Sequence, residues 1–207
     1  MTFQKKLIGI TILVFNVVLV IAMPFIGLGN YVSNRLGQEK QISAAFLAEG
    51  QEDKMLVFWG YVGCGTVCPI SMAALRNVYV SYQAEYPEED LAVVFIGLPL
   101  PGEQPLPGSA DKYAKIFHED FRGYNLSAAA MSQAVREFDV SFSPSLTNPE
   151  IVQHSAFIYL LQREGDDWVL KRTYTDNPPQ PDTILADLQT LSLQATHSSF
   201  TIKKEHP

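Results

Sequence analysis

Val57-Phe58-Trp59-Gly60-Tyr61-Val62-Gly63-Cys64-Gly65-Thr66-Val67-Cys68-Pro69 decides the fold of this chain. Its opening is apolar and aromatic, and Leu56 to Tyr61 reads as a short strand buried in a sheet. Gly60, Gly63 and Gly65 let the backbone turn tightly after it. The turn holds both cysteines of the protein. Pro69 has no N–H to lose and suits the first helical position, which predicts Cys68 at the N-cap. Met72, Leu75, Tyr79, Tyr82 and Tyr86 then recur three and four residues apart, the buried stripe of a helix. Pro87 stops it. The stretch is a strand, a two-thiol loop and a helix.

A thiol at a helix N-terminus feels the positive end of the dipole and unpaired N–H groups, both of which favour thiolate. Thiolate is the nucleophile of disulfide exchange and also a metal ligand. With residues 64 to 68 all helical, the two Cβ atoms would lie about 6 Å apart, whereas a disulfide needs roughly 4 Å. The glycines let Cys64 leave the helical path and approach Cys68. The pair can bridge to each other or clamp one soft metal ion. Two plainer readings compete: a pair of inert core thiols, or a structural disulfide closing a loop too short to add much stability.

Before this stretch the chain opens with Lys5 and Lys6 and then runs apolar and uncharged from Leu7 to Leu28. Spanning a bilayer takes about 20 such residues. A signal peptide has a shorter apolar region and a small-residue cleavage site, which Ala22-Met23-Pro24 does not supply. The expectation is an uncleaved transmembrane anchor over 7–28, with a cleaved signal as the rival. The positive-inside rule holds 1–6 in the cytoplasm. That places the rest beyond the membrane, in a bacterium the periplasm, where an oxidising milieu gives two cysteines chemical meaning. Residues 29–50 read as a stalk and 194–207 as a loose tail. The net charge is −7. Without the two leading lysines the remainder is more acidic still, a poor nucleic-acid binder.

After the first helix, Leu91 to Leu98 is a second buried strand, parallel to the first through a right-handed crossover. Pro99 to Ala110 is a proline-rich loop. Asp111 to Phe117 reads as a short helix with Asp111 as its cap. Ser127 to Phe138 is a clearer one, with Ser127 as N-cap and Ala129, Met131, Val135 and Phe138 inward. Ser141 to Pro149 is turn-rich. His154 to Leu161 reads as one strand, turned at Gly165 into an antiparallel partner, Trp168 to Tyr174. Pro181 to Leu193 closes the domain as a helix. The sum over 51–193 is an α/β, thioredoxin-like fold, a central mixed sheet flanked by helices, with the thiols at the carboxyl end of the first core strand.

Phe58-Trp59-Gly60-Tyr61, the Cys64-x-x-x-Cys68-Pro69 loop and the distant run His154-Ser155-Ala156-Phe157-Ile158-Tyr159-Leu160 resemble the Sco/SenC family. Its members are thioredoxin-like proteins that help assemble cytochrome c oxidase. Tyr113-Ala114-Lys115 and Phe121-Arg122-Gly123-Tyr124 resemble the family's middle section more loosely. The resemblance covers roughly 55–193. It implies a copper site made by Cys64, Cys68 and His154, and an apo-cuproprotein such as an oxidase subunit as partner. Two thiolates and one imidazole suit Cu(I), and mixed sulfur and nitrogen ligation also holds Cu(II). Zinc would want a fourth ligand.

The chain departs from that family in places. Gly65-Thr66-Val67 lacks the aspartate usual inside the cysteine loop. Pro99-Leu100-Pro101-Gly102-Glu103 stands where an Asp-Pro-x-Arg-Asp run is usual. The hairpin expected before the first core strand has only Phe46 to Lys54 to form in. His118 reads as a loop residue, and His197 and His206 fall in the tail. Two functions follow from the residues: a membrane-anchored copper chaperone holding metal on Cys64, Cys68 and His154, or a thiol–disulfide oxidoreductase using Cys64 and Cys68. A third is a tethered sensor of copper or redox state. The three-residue spacing, against two in general reductases, weighs toward copper. No Thr/Arg constellation supports a peroxidase.

Overall fold

The computed structural model describes residues 39–50, 52–100, 105–144 and 152–202. The expected anchor over 7–28 and the cytoplasmic segment 1–6 lie outside them. Among the described residues no helix is long and apolar enough to cross a membrane.

The strands are β1 (Lys40–Ile42), β2 (Lys54–Gly60), β3 (Leu91–Gly97), β4 (Arg122–Tyr124), β5 (Phe142–Pro144), β6 (Val152–His154), β7 (Ile158–Glu164) and β8 (Asp167–Tyr174). The helices are α1 (Val67–Glu85), α2 (Ser109–Lys115), α3 (Ala128–Phe138) and α4 (Pro181–Ile202), with a 3-10 turn over Ala45–Glu49. One mixed sheet runs β1-β8-β7-β2-β3-β4, and β5 and β6 form a separate two-stranded ribbon. β2 lies parallel to β3 from Lys54↔Leu91 to Gly60↔Gly97 and antiparallel to β7. Every residue of β2 and β3 is buried. That is why both read as unbroken apolar runs rather than alternations.

The two faces of β2 divide the molecule. Phe58 and Phe95 pair on one face, and Gly60 on that face meets Cys68 of α1. Phe95 also packs on Tyr113 of α2. On the other face Trp59 meets Phe138 of α3, which also touches Phe46 and Tyr159. Helices therefore cover both faces, and burying each large apolar side chain contributes about 1.5–3 kcal/mol.

Several sequence expectations need correction. α1 starts at Val67 with Thr66 as N-cap, so Cys68 is the second helical residue and Pro69 the third. Proline is harmless anywhere in the first turn, where no N–H has an intrahelical partner. α2 is capped by Gly108, not Asp111. The Asp111 carboxylate instead accepts the Gly123 N–H and pairs with Lys115. Ser127 does cap α3, accepting from Ala130 N–H, and Met131, Val135 and Phe138 face inward as expected, but Ala134 takes the buried place expected of Ala129, which is exposed. The expected strand from His154 to Leu161 is two strands. β6 ends at His154 and pairs Phe142↔His154 in the ribbon, and β7 begins at Ile158 in the main sheet. The presumed stalk donates its end to the sheet: β1 pairs with β8, and Ile42, Ala44, Phe46 and Leu47 are buried. α4 continues past Gln194 to Ile202. β4 had no sequence signal, being three half-buried residues.

Candidate metal centre at the dithiol loop

The loop leaves β2 at Gly60, and the reason for glycine there is steric. A Cβ at Gly60 would stand 2.7 Å from the Cys68 sulfur and 2.9 Å from Cε2 of Phe95. Gly63 is the glycine whose backbone demands it, at φ 102°. Cys64 N–H bonds back to the Tyr61 carbonyl at 3.2 Å and closes the turn.

Both cysteines are free and buried, Cys64 8% exposed and Cys68 fully enclosed. Each sulfur acts on the proton affinity of the other, Cys68 lowering that of Cys64 and Cys64 raising that of Cys68. Burial pushes the Cys64 thiol up, but donors outweigh it: the backbone N–H groups of Cys68 and Thr66, the Cys68 thiol and the Thr66 hydroxyl hold it below the ordinary cysteine value. Thr66 provides no side-chain cap to α1. The N–H groups of Thr66 and Cys68 instead draw the Cys64 sulfur toward its charged form. Cys68 is the opposite case, pushed up to about 12 by burial first and then by its bond to Cys64 and the charge there. The lowering expected at Cys68 thus falls on Cys64, because α1 begins before Cys68, whose sulfur is enclosed in the core.

Tyr61 neighbours both the thiols and the histidine. Its ring meets the His154 imidazole edge-on at 6.1 Å, and the two sulfurs, Cys64 first, act on its hydroxyl. His154 is half-buried, and its Nδ1 lies 3.2 Å from the Ser155 carbonyl. A carbonyl only accepts, so Nδ1 carries the proton and Nε2 keeps its lone pair for a ligand. Burial lowers the His154 value, against a smaller opposing pull from that carbonyl. Such an imidazole is neutral at neutral pH, the form that binds metal.

The structure brings Cys64 and Cys68 together and sets His154 one tyrosine ring away. Among the described residues no group of three or more His, Cys, Asp and Glu side chains is gathered as a metal-holding cluster. His118 is elsewhere, in a mutual cluster of tilted rings with Tyr79 and Phe121 and beside Asp120. The donor set fits a soft metal in its two adjacent, unbridged sulfurs. Sequence reasoning missed Tyr61 and Tyr113 as neighbours of the sulfurs. Tyr61 was legible as the residue ending the strand; Tyr113 comes from a distant helix and left no local signal.

The family model described as SCO1/SenC matches residues 41–192. The chain is 27% identical over 114 residues to the mitochondrial protein SCO2 homolog of Bos taurus, an alignment covering 54% of this chain and 42% of that relative. The apo Sco1 structure from Thermus thermophilus is similar at a TM-score of 0.54 and 27% identity, covering 75% of this chain and 91% of that one. The copper-bound ScoI of Arabidopsis thaliana shares the fold at a TM-score of 0.60 and 18% identity, covering 77% and 99%.

Proposed function

This chain belongs to the SCO1/SenC family, and from that premise we propose that it is a copper-binding assembly factor. Copper is its cargo, held on Cys64, Cys68 and His154. The observation that carries this is the pair of free, buried thiols side by side over the N-terminus of α1, one of them already drawn toward thiolate. Soft sulfur selects Cu(I), and the neutral His154 nitrogen adds the ligand that lets the same set hold Cu(II). The copper carried by the Arabidopsis relative supports the same cargo here.

The recipient is an apo-cuproprotein such as a cytochrome c oxidase subunit. The chain is anchored by the apolar segment 7–28, with 1–6 cytoplasmic, 29–50 as the tether whose end joins the sheet, 51–193 as the working domain in the periplasm, and 194–207 as its C-terminal extension. The test is copper titration of the reduced soluble domain. Wild type takes up about one ion per chain, and each cysteine-to-serine variant loses at least about 100-fold in affinity. His154→Ala binds about 10–100-fold more weakly. Binding by His154→Ala equal to wild type overturns the histidine's role, and binding by the cysteine variants overturns the site.

The asymmetry of the thiols favours a second reading alongside the first. Cys64, lowered and nearer solvent, is suited to attack a disulfide, and Cys68, raised and enclosed, to resolve the mixed disulfide. Turnover of a disulfide substrate by the metal-free dithiol measures it.

A further inference from the structure

The ribbon that carries His154 is pinned to the core at its root. Phe138 and Val140 are buried, and between them Asp139 ends α3 in the left-handed region, at φ 53°. Val140 N–H bonds back to the Val135 carbonyl at 3.0 Å. Ser141, the next residue, is therefore a fixed post. The register that pairs Phe142 with His154 sets Ser141 opposite Ser155. Ser155 N–H donates to the Ser141 carbonyl at 2.9 Å. In an antiparallel ladder a pair joined in this way exchanges two bonds, each N–H meeting the other residue's carbonyl.

The second bond is made differently here. Ser141 N–H donates to the Ser155 hydroxyl at 3.3 Å, and that hydroxyl donates in turn to the Ser141 carbonyl at 3.3 Å. The Ser155 carbonyl is the acceptor that a continued ladder would offer to Ser141 N–H. It lies instead 3.2 Å from Nδ1 of His154. The side chain stands in for its own main-chain oxygen. A serine hydroxyl can do so because it accepts and donates at once, and short hydroxyl side chains compete with the backbone for local partners. Alanine at 155 would offer no such acceptor.

We propose that Ser155 is a positioning residue for His154: its hydroxyl takes the ladder bond at the root of the ribbon, and its carbonyl, so released, holds the imidazole with the proton on Nδ1 and the lone pair on Nε2. Without the hydroxyl, Ser141 N–H turns to the Ser155 carbonyl and competes with the imidazole for it. The ring then loses the contact that selects its tautomer. A carbonyl bonded to one ring nitrogen fixes which nitrogen is left for a ligand and how the ring is turned. That Nε2 meets copper rests on the proposed function; the setting of the ring does not.

The test reads the ring by nitrogen NMR in the metal-free, reduced full chain carrying isotope-labelled histidine. At about pH 8.5, about two units above the ordinary imidazole value, the ring is neutral, and protonated and lone-pair nitrogens give separate signals. His154→Gln identifies which signals belong to His154. In wild type the proton sits on Nδ1. Ser155→Ala is expected to lower the ratio of Nδ1–H to Nε2–H rings about two- to tenfold, the worth of one ordinary hydrogen bond. Ser155→Thr keeps the hydroxyl and should stay within about twofold of wild type. Ser141→Ala is the control and should match wild type, since Ser141 enters the link through its main chain. An unchanged ratio in Ser155→Ala, an equal shift in Ser141→Ala, or a Thr variant that behaves as the Ala one overturns the proposal. Copper titration of the same proteins is read separately, and Ser155→Ala should bind about tenfold more weakly than wild type. A wild type that takes up no copper defeats the copper reading, while the ring ratios still decide Ser155.

Discussion

β2 is buried along its whole length, yet its two ends are built on opposite principles. At its start Lys54, 3% exposed, is paired with Glu89, and the same Glu89 oxygen accepts from the Tyr82 hydroxyl and from Ser192 Oγ. The Ser192 hydroxyl also meets Tyr82 at 2.7 Å and the Leu188 carbonyl. Charges and hydroxyls there have found partners, and the network ties the start of β2 to α1 and α4. At its finish Gly60 gives way to two reduced thiols with mismatched proton affinities and a histidine packed edge-on against a tyrosine. Matched polar groups make the first end a brace. Mismatch at the second end is of the kind that concentrates at functional sites.

Glu89→Ala should have the largest effect on folding. It leaves the Lys54 ammonium buried without a counter-ion, and such a break costs about 3–5 kcal/mol. The urea midpoint should fall sharply, while copper uptake per folded molecule stays at the wild-type value. A loss of copper affinity without a loss of stability would dissolve the division between the two ends.

Gly60→Ala comes next and attacks the other end. The new methyl needs the space of the Cys68 sulfur and the Phe95 ring edge. Overpacking of this kind costs about 1–3 kcal/mol. Here the larger change is functional, because the sulfur must move: copper affinity should drop more than tenfold. Wild-type affinity in a folded Gly60→Ala protein would mean that the sulfurs are not held by this contact.

Acid should sharpen the contrast further. Burial pushes the Glu89 carboxyl up, but the Lys54, Tyr82 and Ser192 hydrogen bonds hold it below the ordinary value of 4.5. The unfolded chain then binds the proton more readily than the folded one. The stability this gives is complete above the unfolded pKa and is lost as pH falls through the folded one. Urea midpoints measured downward from pH 5 should therefore decline less steeply in Glu89→Gln than in wild type. Equal slopes would remove Glu89 from the account.

The brace and the site were unequally legible in the sequence. β2, β3 and α1 could be read because each is a long run of one kind, two unbroken apolar strands and one three-four stripe. The thiol pair was legible because both cysteines share one short turn. What escaped was non-local. His154 reads into the strand that follows it, since nothing in His154-Ser155-Ala156 announces that the ribbon ends and the main sheet begins; that break is made by pairing with Phe142. Lys54 and Glu89 look like ordinary surface charges until the sheet and α4 enclose them. Tyr113 is one aromatic residue among many until α2 lays it on Phe95.

The smallest effect is the most telling for the comparison. Cys64→Ser replaces a small side chain near the surface end of the site and keeps a hydroxyl that can accept the same Thr66 and Cys68 N–H groups. Stability should change by less than about 1 kcal/mol, because that acceptor is retained and little apolar area is lost. The Cys68 thiol, freed from a neighbour that raises it both by hydrogen bond and by charge, should then ionise at a lower pH than in wild type. Thiolate absorbance followed against pH, together with a urea melt, measures both. A stability loss as large as that of Glu89→Ala would make the dithiol loop a second brace, with the reduced pair holding the fold together rather than waiting for an ion.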